Sequence, residues 1–400
     1  ETFVLEVTGT RAAVSPPVPN WRRPYQIDYQ FKTDIFTSRS GKEQRRALRT
    51  TPRKKVSFEA TPTFGQFRAF NELMASRHNN TIILPEVPRQ AVSAVAHGVG
   101  DAIMQLTETA PDWAVEGATV VLAYRGQYES RRIQSVAGSQ IVFTGVTGLD
   151  WPVGTKVHPG ISGRLAASVR SRRETNSVAV VGVEMDVTPA SEPVIALPAA
   201  PASFNGRELF TMKPNWAETP EVTYESMREE IDYQRGRIAI FTPVVFGTRT
   251  RRATYTGRTY QDMNLIREHF ERMRGQRGEF YMSTGEADIT PGPLTPAGSN
   301  TIRIYGTQFA AEYEDSTVFK AVAVTYRDGT VQRNVVEDVY PVNDAAGQDS
   351  VIQVADVWSQ DVSPDNVRIV SWLLVWRHAT DTLTIEWLTD RVGQCQMTVQ

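Results

Sequence analysis

Two stretches of the chain carry apolar residues at helical spacing. In each stretch these residues follow one another at intervals of three, three and four positions: Phe64, Phe67, Phe70 and Met74 in the first, and Tyr260, Met263, Ile266 and Phe270 in the second. This spacing places them on one face of an amphipathic helix. Thr63 and Thr259 directly precede the two stretches and are suitable N-caps. We therefore predict one helix in each half of the chain.

Alternating runs around the two helices predict strands, and their order repeats. "VPNWRRPYQIDY" begins at Val18, and "KPNWAETPEVTY" begins at Lys213. Each is followed by a short turn, an extended arginine- and threonine-rich stretch, the helix and a short apolar strand ("TIILPE" or "EFYMSTG"). Trp21 and Trp216 hold the same place in both segments, which favours a shared packing role. Because the whole order recurs, we predict one domain present in two copies.

Further short strands predict an insertion in each copy. Residues 102–159 and 299–367 both read as series of short alternating runs, and Asp328-Gly329 is a hairpin turn signal. We predict a small β-barrel in each, followed by a closing pair of strands. The first residues, "ETFVLEVTGT", alternate like a strand, and we expect no secretion signal there.

The predicted fold is mainly β with a minor α component. It consists of two tandem domains of the split-barrel or β-sandwich type, each with one flanking helix and one inserted barrel. The Pro/Ala-rich segment between them is an extended linker. The predicted limits are 1–101 with 160–188 for the first domain, 102–159 for its insert, 189–204 for the linker, 205–298 with 368–400 for the second domain, and 299–367 for its insert.

Composition narrows the classes of function. The chain has 400 residues and a net charge of -2, which gives no general attraction to nucleic acid or anionic membrane. Its single cysteine, Cys395, excludes an intrachain disulfide and a four-cysteine metal site. The five histidines are scattered, and no apolar run approaches the about 20 residues of a membrane span. We expect no membrane insertion.

Motifs of catalysis are missing from the sequence. "SRSGKEQ" has a Gly-Lys pair but lacks the rest of a phosphate-binding loop. The chain contains no HExxH, no GxSxG and no GxGxxG before a helix. We therefore predict no catalytic, cofactor-binding or metal-binding residues, and interpret the carboxylates as surface groups. A triad assembled only in space stays open at this point.

Two other groups of residues have a functional and a structural interpretation. A basic cluster, repeated weakly in the second half, suits nucleic acid, a solvated strand, or the acidic face of a neighbouring subunit. The tryptophans suit a carbohydrate platform or, more commonly, packing. The residues concerned are Arg45, Arg46, Arg49, Arg53, Lys54 and Lys55, then Arg249, Arg251 and Arg252, and the tryptophans 21, 216, 372, 376 and 387.

The order of these motifs resembles that of tail-tip proteins of long-tailed bacteriophages. "TDIFTSRSGKEQRRALRTTPRKKVSFEA" and "VSWLLVWRHATDTLTIEWLTDRVGQCQMTV" carry the resemblance, which is to the distal tail proteins and the lambda minor tail protein M. The resemblance implies a fold related to the tail-tube protein. It also implies a structural role without enzyme activity, in a baseplate ring at the tail tip of a virion, made in the host cytoplasm.

The resemblance also implies partners. A distal tail ring joins the tail-tube protein to the baseplate hub and to fibre or receptor-binding proteins, and DNA passes through its lumen. Two copies in one chain favour a trimer that forms a pseudo-six-fold ring, with a true hexamer next. Two alternatives stay open: a carbohydrate- or receptor-binding β-sandwich module of the baseplate, and, more distantly, a cell-wall hydrolase.

Overall fold

The computed structural model describes residues 18–38, 42–77, 81–188, 196–226, 228–234, 236, 238–242, 247–344 and 347–400. Among these residues, the first half contains one α-helix, α1 (Phe64–Arg77), and thirteen strands. The strands are β1 (Tyr25–Gln30), β2 (Thr33–Thr37), β3 (Glu43–Ala47), β4 (Arg53–Ala60), β5 (Ile82–Pro85), β6 (Ala91–Val92), β7 (Ile103–Gln105), β8 (Thr119–Tyr124), β9 (Gln127–Ala137), β10 (Gln140–Phe143), β11 (Lys156–Leu165), β12 (Ser171–Arg173) and β13 (Ala179–Val187).

The described part of the second half contains two α-helices, α2 (Tyr260–Met273) and α3 (Gln308–Tyr313). Its strands are β14 (Ser203–Phe204), β15 (Arg207–Phe210), β16 (Glu221–Glu225), β17 (Glu229–Ile231), β18 (Ala239–Phe241), β19 (Thr248–Gly257), β20 (Phe280–Ser283), β21 (Thr301–Tyr305), β22 (Ala321–Tyr326), β23 (Val331–Asp344), β24 (Gly347–Val354), β25 (Val367–Trp376), β26 (Thr382–Trp387) and β27 (Gly393–Val399). The protein is therefore mainly β, as the sequence predicts.

The chain divides into two compact units. The first comprises Glu1–Pro198, Pro214–Arg277 and Ala379–Thr398, and the second comprises Ala199–Lys213, Gly278–His378 and Val399–Gln400. The first unit thus contains α1, α2 and the closing hairpin of the chain, β26 and β27. These units are defined by contacts, and the limits of the two sequence-based domains stay a prediction.

A long sheet organises the first unit. Its strand path runs β16-β19-β27-β26-β1-β4-β13 and continues through β11 into the strands of the barrel described below. β12 lies off this path and pairs with the first residues of β13, while β11 pairs with the last. Side chains alternate along these strands: on β1, Tyr25, Ile27 and Tyr29 are buried, while their neighbours are partly exposed. The buried face packs under the helices, with Met263, Ile266 and Phe270 of α2 almost fully buried. The opposite face is polar.

The first unit also contains a small barrel. Strands β6, β11, β8, β9, β10 and β7 pair in that order. A bridge between Ser93 and Leu106, next to β6 and β7, closes the circuit. Its interior holds one apolar cluster that includes Trp113, Phe143 and Trp151. The circuit begins at β6, before the predicted insert limit at 102.

The second unit is built on one eight-stranded sheet with the order β14-β15-β20-β25-β22-β23-β24-β21. Within the described residues of this sheet, β15 and β20 pair in parallel and all other neighbouring strands pair antiparallel. Asp328 and Gly329 form the turn between β22 and β23, where Gly329 takes a φ of 91°. The Thr330 N–H donates to the Asp328 side chain. The predicted hairpin is confirmed.

Several expectations differ from the structure. The stretch "RRALRTTPRKKVSFEA" is two strands of different sheets, β3 and β4, because the one described partner of β3 is β2, in a separate hairpin. The predicted linker 189–204 ends in β14. The helix α3 was not predicted. The expected strand in "ETFVLEVTGT" lies outside the described residues.

Both predicted helices are confirmed. Thr259 caps α2 and forms a capping box with Asp262. In α1, Phe67 and Phe70 are buried, but Phe64 is 56% exposed and Leu73 is buried instead. No helix in the described part of the chain combines the length and apolar character that crossing a membrane requires.

Candidate assembly surface

The two halves of the chain place their strands in the same order. In the first half the order across the sheet is β1-β4-β13-β12. In the second half it is β16-β19-β27-β26. In each set a helix follows the second strand, and the third and fourth strands form the closing hairpin.

The Pro-Asn-Trp motifs explain part of this correspondence. The backbone N–H groups of Asn20 and Asn215 donate to the carbonyls of Glu59 and Thr254 at 2.8 and 2.7 Å. The side-chain oxygen of each asparagine accepts from the N–H two residues further on. Each motif thereby attaches the segment before the first strand of its set (β1 or β16) to the end of the second strand of the same set (β4 or β19).

The helix starts and closing hairpins also match. Gln66 and Thr63 exchange hydrogen bonds between side chain and backbone at 2.8 and 3.5 Å, like the capping box of α2. In the hairpins, Arg173 pairs with Ala179 and Trp387 pairs with Gly393, so both loops have the same length.

A seam joins the two strand sets into one sheet. β26 pairs antiparallel with β1 over six residue pairs, from Tyr25 opposite Trp387 to Gln30 opposite Thr382. On the polar face, Gln26 Nε2 donates to Glu386 Oε1 at 2.8 Å. There the Thr384 hydroxyl also donates to Asp28 Oδ1 at 2.7 Å. The last strand of one set therefore adds to the first strand of the other.

The buried side of the seam is covered by α2 and the segment after it. Tyr260 of α2 stacks on Trp387 with ring centroids 5.8 Å apart, and Phe270 meets Phe31 edge-on at 5.7 Å. The Asp381 carboxylate accepts hydrogen bonds from the Thr33 N–H and hydroxyl at 2.5 and 2.8 Å. These contacts fix the seam at both ends.

The side of the eight strands that faces away from the helices, called the polar face, carries more acidic than basic side chains. Seven carboxylates and four cationic side chains alternate with neutral groups such as Ser57 and Thr254. The acidic members are Asp28, Glu59, Glu184, Asp186, Glu221, Glu225 and Glu386, and the basic members are Arg53, Lys55, Arg172 and Arg252. Lys55 pairs with Glu184, and this contact raises the pKa of the lysine. On the eight strands themselves, the charged side chains therefore sum to a small negative excess.

A buried ion pair lies beside α2. Arg89 is 6% exposed and its guanidinium lies 3.7 Å from the Glu86 carboxylate and 5.2 Å from the centre of the Tyr260 ring. Asp112 adds a longer contact at 3.8 Å. The Arg89 pKa is raised, since the attraction of nearby acidic groups outweighs desolvation, the largest single effect. The charge is therefore retained inside the fold.

Burial shifts the pKa values of other titratable groups of this unit. Desolvation lowers the pKa of the His158 imidazole to about 4, and its Nδ1 lies 2.9 Å from the Arg89 carbonyl oxygen. Burial raises the pKa of Tyr25 and Tyr29 well above the ordinary value. It raises that of the Cys395 thiol to about 12. These groups are neutral at physiological pH and serve packing.

The basic cluster does not form one surface. Lys54 and Lys55 point to opposite faces of β4, since Lys54 lies over the Tyr29 ring and Lys55 pairs with Glu184. Arg45 donates to the Gln276 carbonyl from the separate β2–β3 hairpin, and Arg251 is 2% exposed. Alternation along strands thus disperses the charge run that the sequence suggests.

Packing is the main use of the tryptophans. Six of the eight are buried, which leaves Trp21 and Trp216 outside the cores: Trp113, Trp151, Trp358, Trp372, Trp376 and Trp387. Trp216 is 55% exposed, so the shared packing role expected for Trp21 and Trp216 is not seen within the chain. The sequence analysis did not find the seam, because alternation marks the buried faces of β1 and β26 without showing that the two strands pair.

No model of a known protein family matches the chain, and no curated protein matches it either.

Proposed function

We propose that the chain is a structural component of the tail tip of a long-tailed phage. In this role it forms a ring that joins the tail tube to the baseplate hub and receptor-binding proteins. The observation that carries the proposal is the seam between β26 and β1. Two strand sets of the same order stand head to tail in one continuous sheet, which is one step of a ring already made within one chain.

Duplication explains this arrangement economically. Equal strand order, equal hairpin loops and the matching asparagine contacts all support two copies of one domain. Three chains then supply six copies, and a ring with three-fold symmetry fits a six-fold tail tube. The resemblance of the sequence to distal tail proteins supports the same assembly.

The polar face provides a suitable channel wall. Seven carboxylates against four cations present a mildly repulsive surface to DNA, which has to pass without sticking. The opposite face is packed under helices and is unavailable to the lumen. We therefore assign the polar face to the lumen and the helices to the outside of the ring.

The barrel of the first unit offers a docking site for baseplate proteins. Hydrogen bonds from Val99 to Asp150 and from Gly100 to Thr147 hold two of its loops side by side. These loops and the adjoining strand expose a group of apolar side chains: Val95, Val99, Ile103, Val146, Leu149 and Val153. Exposed apolar groups of this kind mark interaction sites. Hub or fibre proteins are the occupants that the resemblance implies.

Electron microscopy of particles tests the proposal. Antibodies against the barrel, applied to phage or tail-like particles from cells that encode the chain, should label one end of the tail only. Mass spectrometry of the purified particles should find the chain in a fixed ratio to the tail-tube protein. Absence of the chain from purified particles would overturn the proposal.

A further inference from the structure

Two edges of the long sheet have no neighbour among the described residues. β16 pairs with β19 on one side, and it ends the strand path. β12 pairs with β13 on one side only. Both are exposed: the Arg172 side chain is 71% exposed and Tyr224 is 71% exposed. Unpaired strand edges with free N–H and C=O groups are templates for another strand.

The seam shows which strand each edge accepts. In the seam, the first strand of one set pairs with the last strand of the other set. Alignment on Asn20 and Asn215 places Gln26 of β1 at Glu221 of β16, and Ile27 at Val222.

The two closing hairpins complete the alignment. Since their loops have equal length, Glu386 of β26 corresponds to Arg172 of β12, and Ile385 corresponds to Ser171. Each open edge is therefore the counterpart of one side of the seam.

We propose that β16 of one chain pairs antiparallel with β12 of a second copy of the chain, in the register of the seam. This inference deepens the proposed ring and rests on it, because it names the two edges that close the ring. In that register Glu221 stands opposite Arg172, as Gln26 stands opposite Glu386, and Val222 stands opposite Ser171.

Charge supports a head-to-tail contact. The β16 edge is acidic through Glu218, Glu221 and Glu225. The β12 edge has a basic excess through Arg170 and Arg172, although Arg172 also pairs with Glu174 of its own chain at 3.0 Å. Pairing of two β16 edges or two β12 edges would place like charges together, which is destabilising. Opposite edges attract, so the contact propagates in one direction, as the head-to-tail contact of a ring must.

Charge reversal tests the contact. Glu221→Arg or Arg172→Glu should each weaken assembly of the full chain at least roughly tenfold, measured as mass against concentration by light scattering. The double variant, which restores the opposite charges, should assemble like the unaltered chain. Glu312→Arg on the exposed helix α3 is the matched control and should change nothing. Equal weakening by the double variant would contradict the proposal.

Disulfide trapping tests the register. Ser171→Cys with Val222→Cys should give covalent oligomers under mild oxidation. Ser171→Cys with Thr223→Cys, shifted by one residue to the opposite face, should not. Cys395 does not interfere, since it is 1% exposed.

The outcomes separate this inference from the proposed function. Rings that show neither cross-linking nor sensitivity to charge reversal would disprove the edge contact and leave the tail-tip ring standing. A covalent link within a monomer would show that the chain covers its own edge, and would also disprove the contact. An unaltered chain that forms no ring under any condition, including on added tail tubes, would contradict the ring itself.

Discussion

The side chains of Asn20 and Asn215, one in each half of the chain, make equivalent hydrogen bonds. The amide of Asn20 donates to the Thr61 hydroxyl at 3.0 Å, and that of Asn215 donates to the Thr256 hydroxyl at 3.4 Å. In both cases the partner lies 41 residues further along. Equal contacts at equal separation are what two copies of one domain would produce.

Substitution of these asparagines should therefore have similar effects. Asn20→Ala removes three side-chain hydrogen bonds and Asn215→Ala removes two, in each case near the first strand of a set. Each should lower the free energy of unfolding by about 1–2 kcal/mol. Denaturant unfolding measures both. Asn205→Gly, at a turn position with a φ of 44°, serves as an asparagine control outside the motifs. A large cost in one half and none in the other would contradict the equivalence.

Removal of the buried guanidinium should be far more costly. Arg89→Met leaves Glu86, which is 3% exposed, without its charged partner. The expected loss is about 3–5 kcal/mol, because an uncompensated buried carboxylate is strongly destabilising. Glu86→Gln combined with Arg89→Met should recover much of it. Chemical unfolding of the unaltered protein, the two single variants Glu86→Gln and Arg89→Met, and the double variant would measure the coupling between the two side chains. Losses that simply add would contradict the ion pair.

His158 should make stability depend on acidity. Its pKa is lowered to about 4 in the folded protein, below the ordinary value of 6.5. The unfolded chain therefore binds the proton more readily. The contribution is complete above pH 6.5 and is lost as the pH falls towards 4, by up to about 3 kcal/mol.

The neutral variant His158→Gln should flatten that part of the stability curve. Urea unfolding between pH 4 and 8 compares the two proteins. An unchanged slope in His158→Gln would show that groups other than His158 cause the dependence.

The polar face should not retain DNA. The unaltered protein should show no duplex binding at about 150 mM salt, since the acidic excess repels phosphates. Glu184→Lys with Asp186→Lys reverses the balance of the face and should create binding at low salt that weakens as salt rises. Glu312→Lys with Glu314→Lys, at exposed positions in α3 and directly after it, is the control of equal charge change. Fluorescence anisotropy distinguishes them, and tight binding by the unaltered protein would contradict the lumen assignment.

Local patterns allowed much of the fold to be predicted. The spacing of Met263, Ile266 and Phe270 indicates α2, because at this spacing all three side chains lie on the one face of a helix that is buried. The Asp328-Gly329 turn is likewise a local matter, since glycine adopts the positive φ that the hairpin needs. Both predictions depend on a few neighbouring residues and both are confirmed.

Long-range pairing was beyond the reach of such patterns. Tyr25 and Trp387 are adjacent in the seam, but alternation reveals only which face of each strand is apolar. Strand alternation explains why neighbouring basic residues of one strand point to opposite faces. The separation of the basic cluster into β3 and β4 depends on which strands pair, and the local sequence does not show that. The short helix α3 has too few residues for a periodic signal.

The mass and symmetry of the native assembly test the central claim most directly. Native mass spectrometry of the purified chain, with class averages from electron microscopy, should give three times the chain mass of 44.7 kDa and a ring with six similar inner lobes. Six chains in a ring would keep the tail-tip assignment but remove the role of the two copies. A monomer at all concentrations, with no assembly on added tail tubes, would contradict the account.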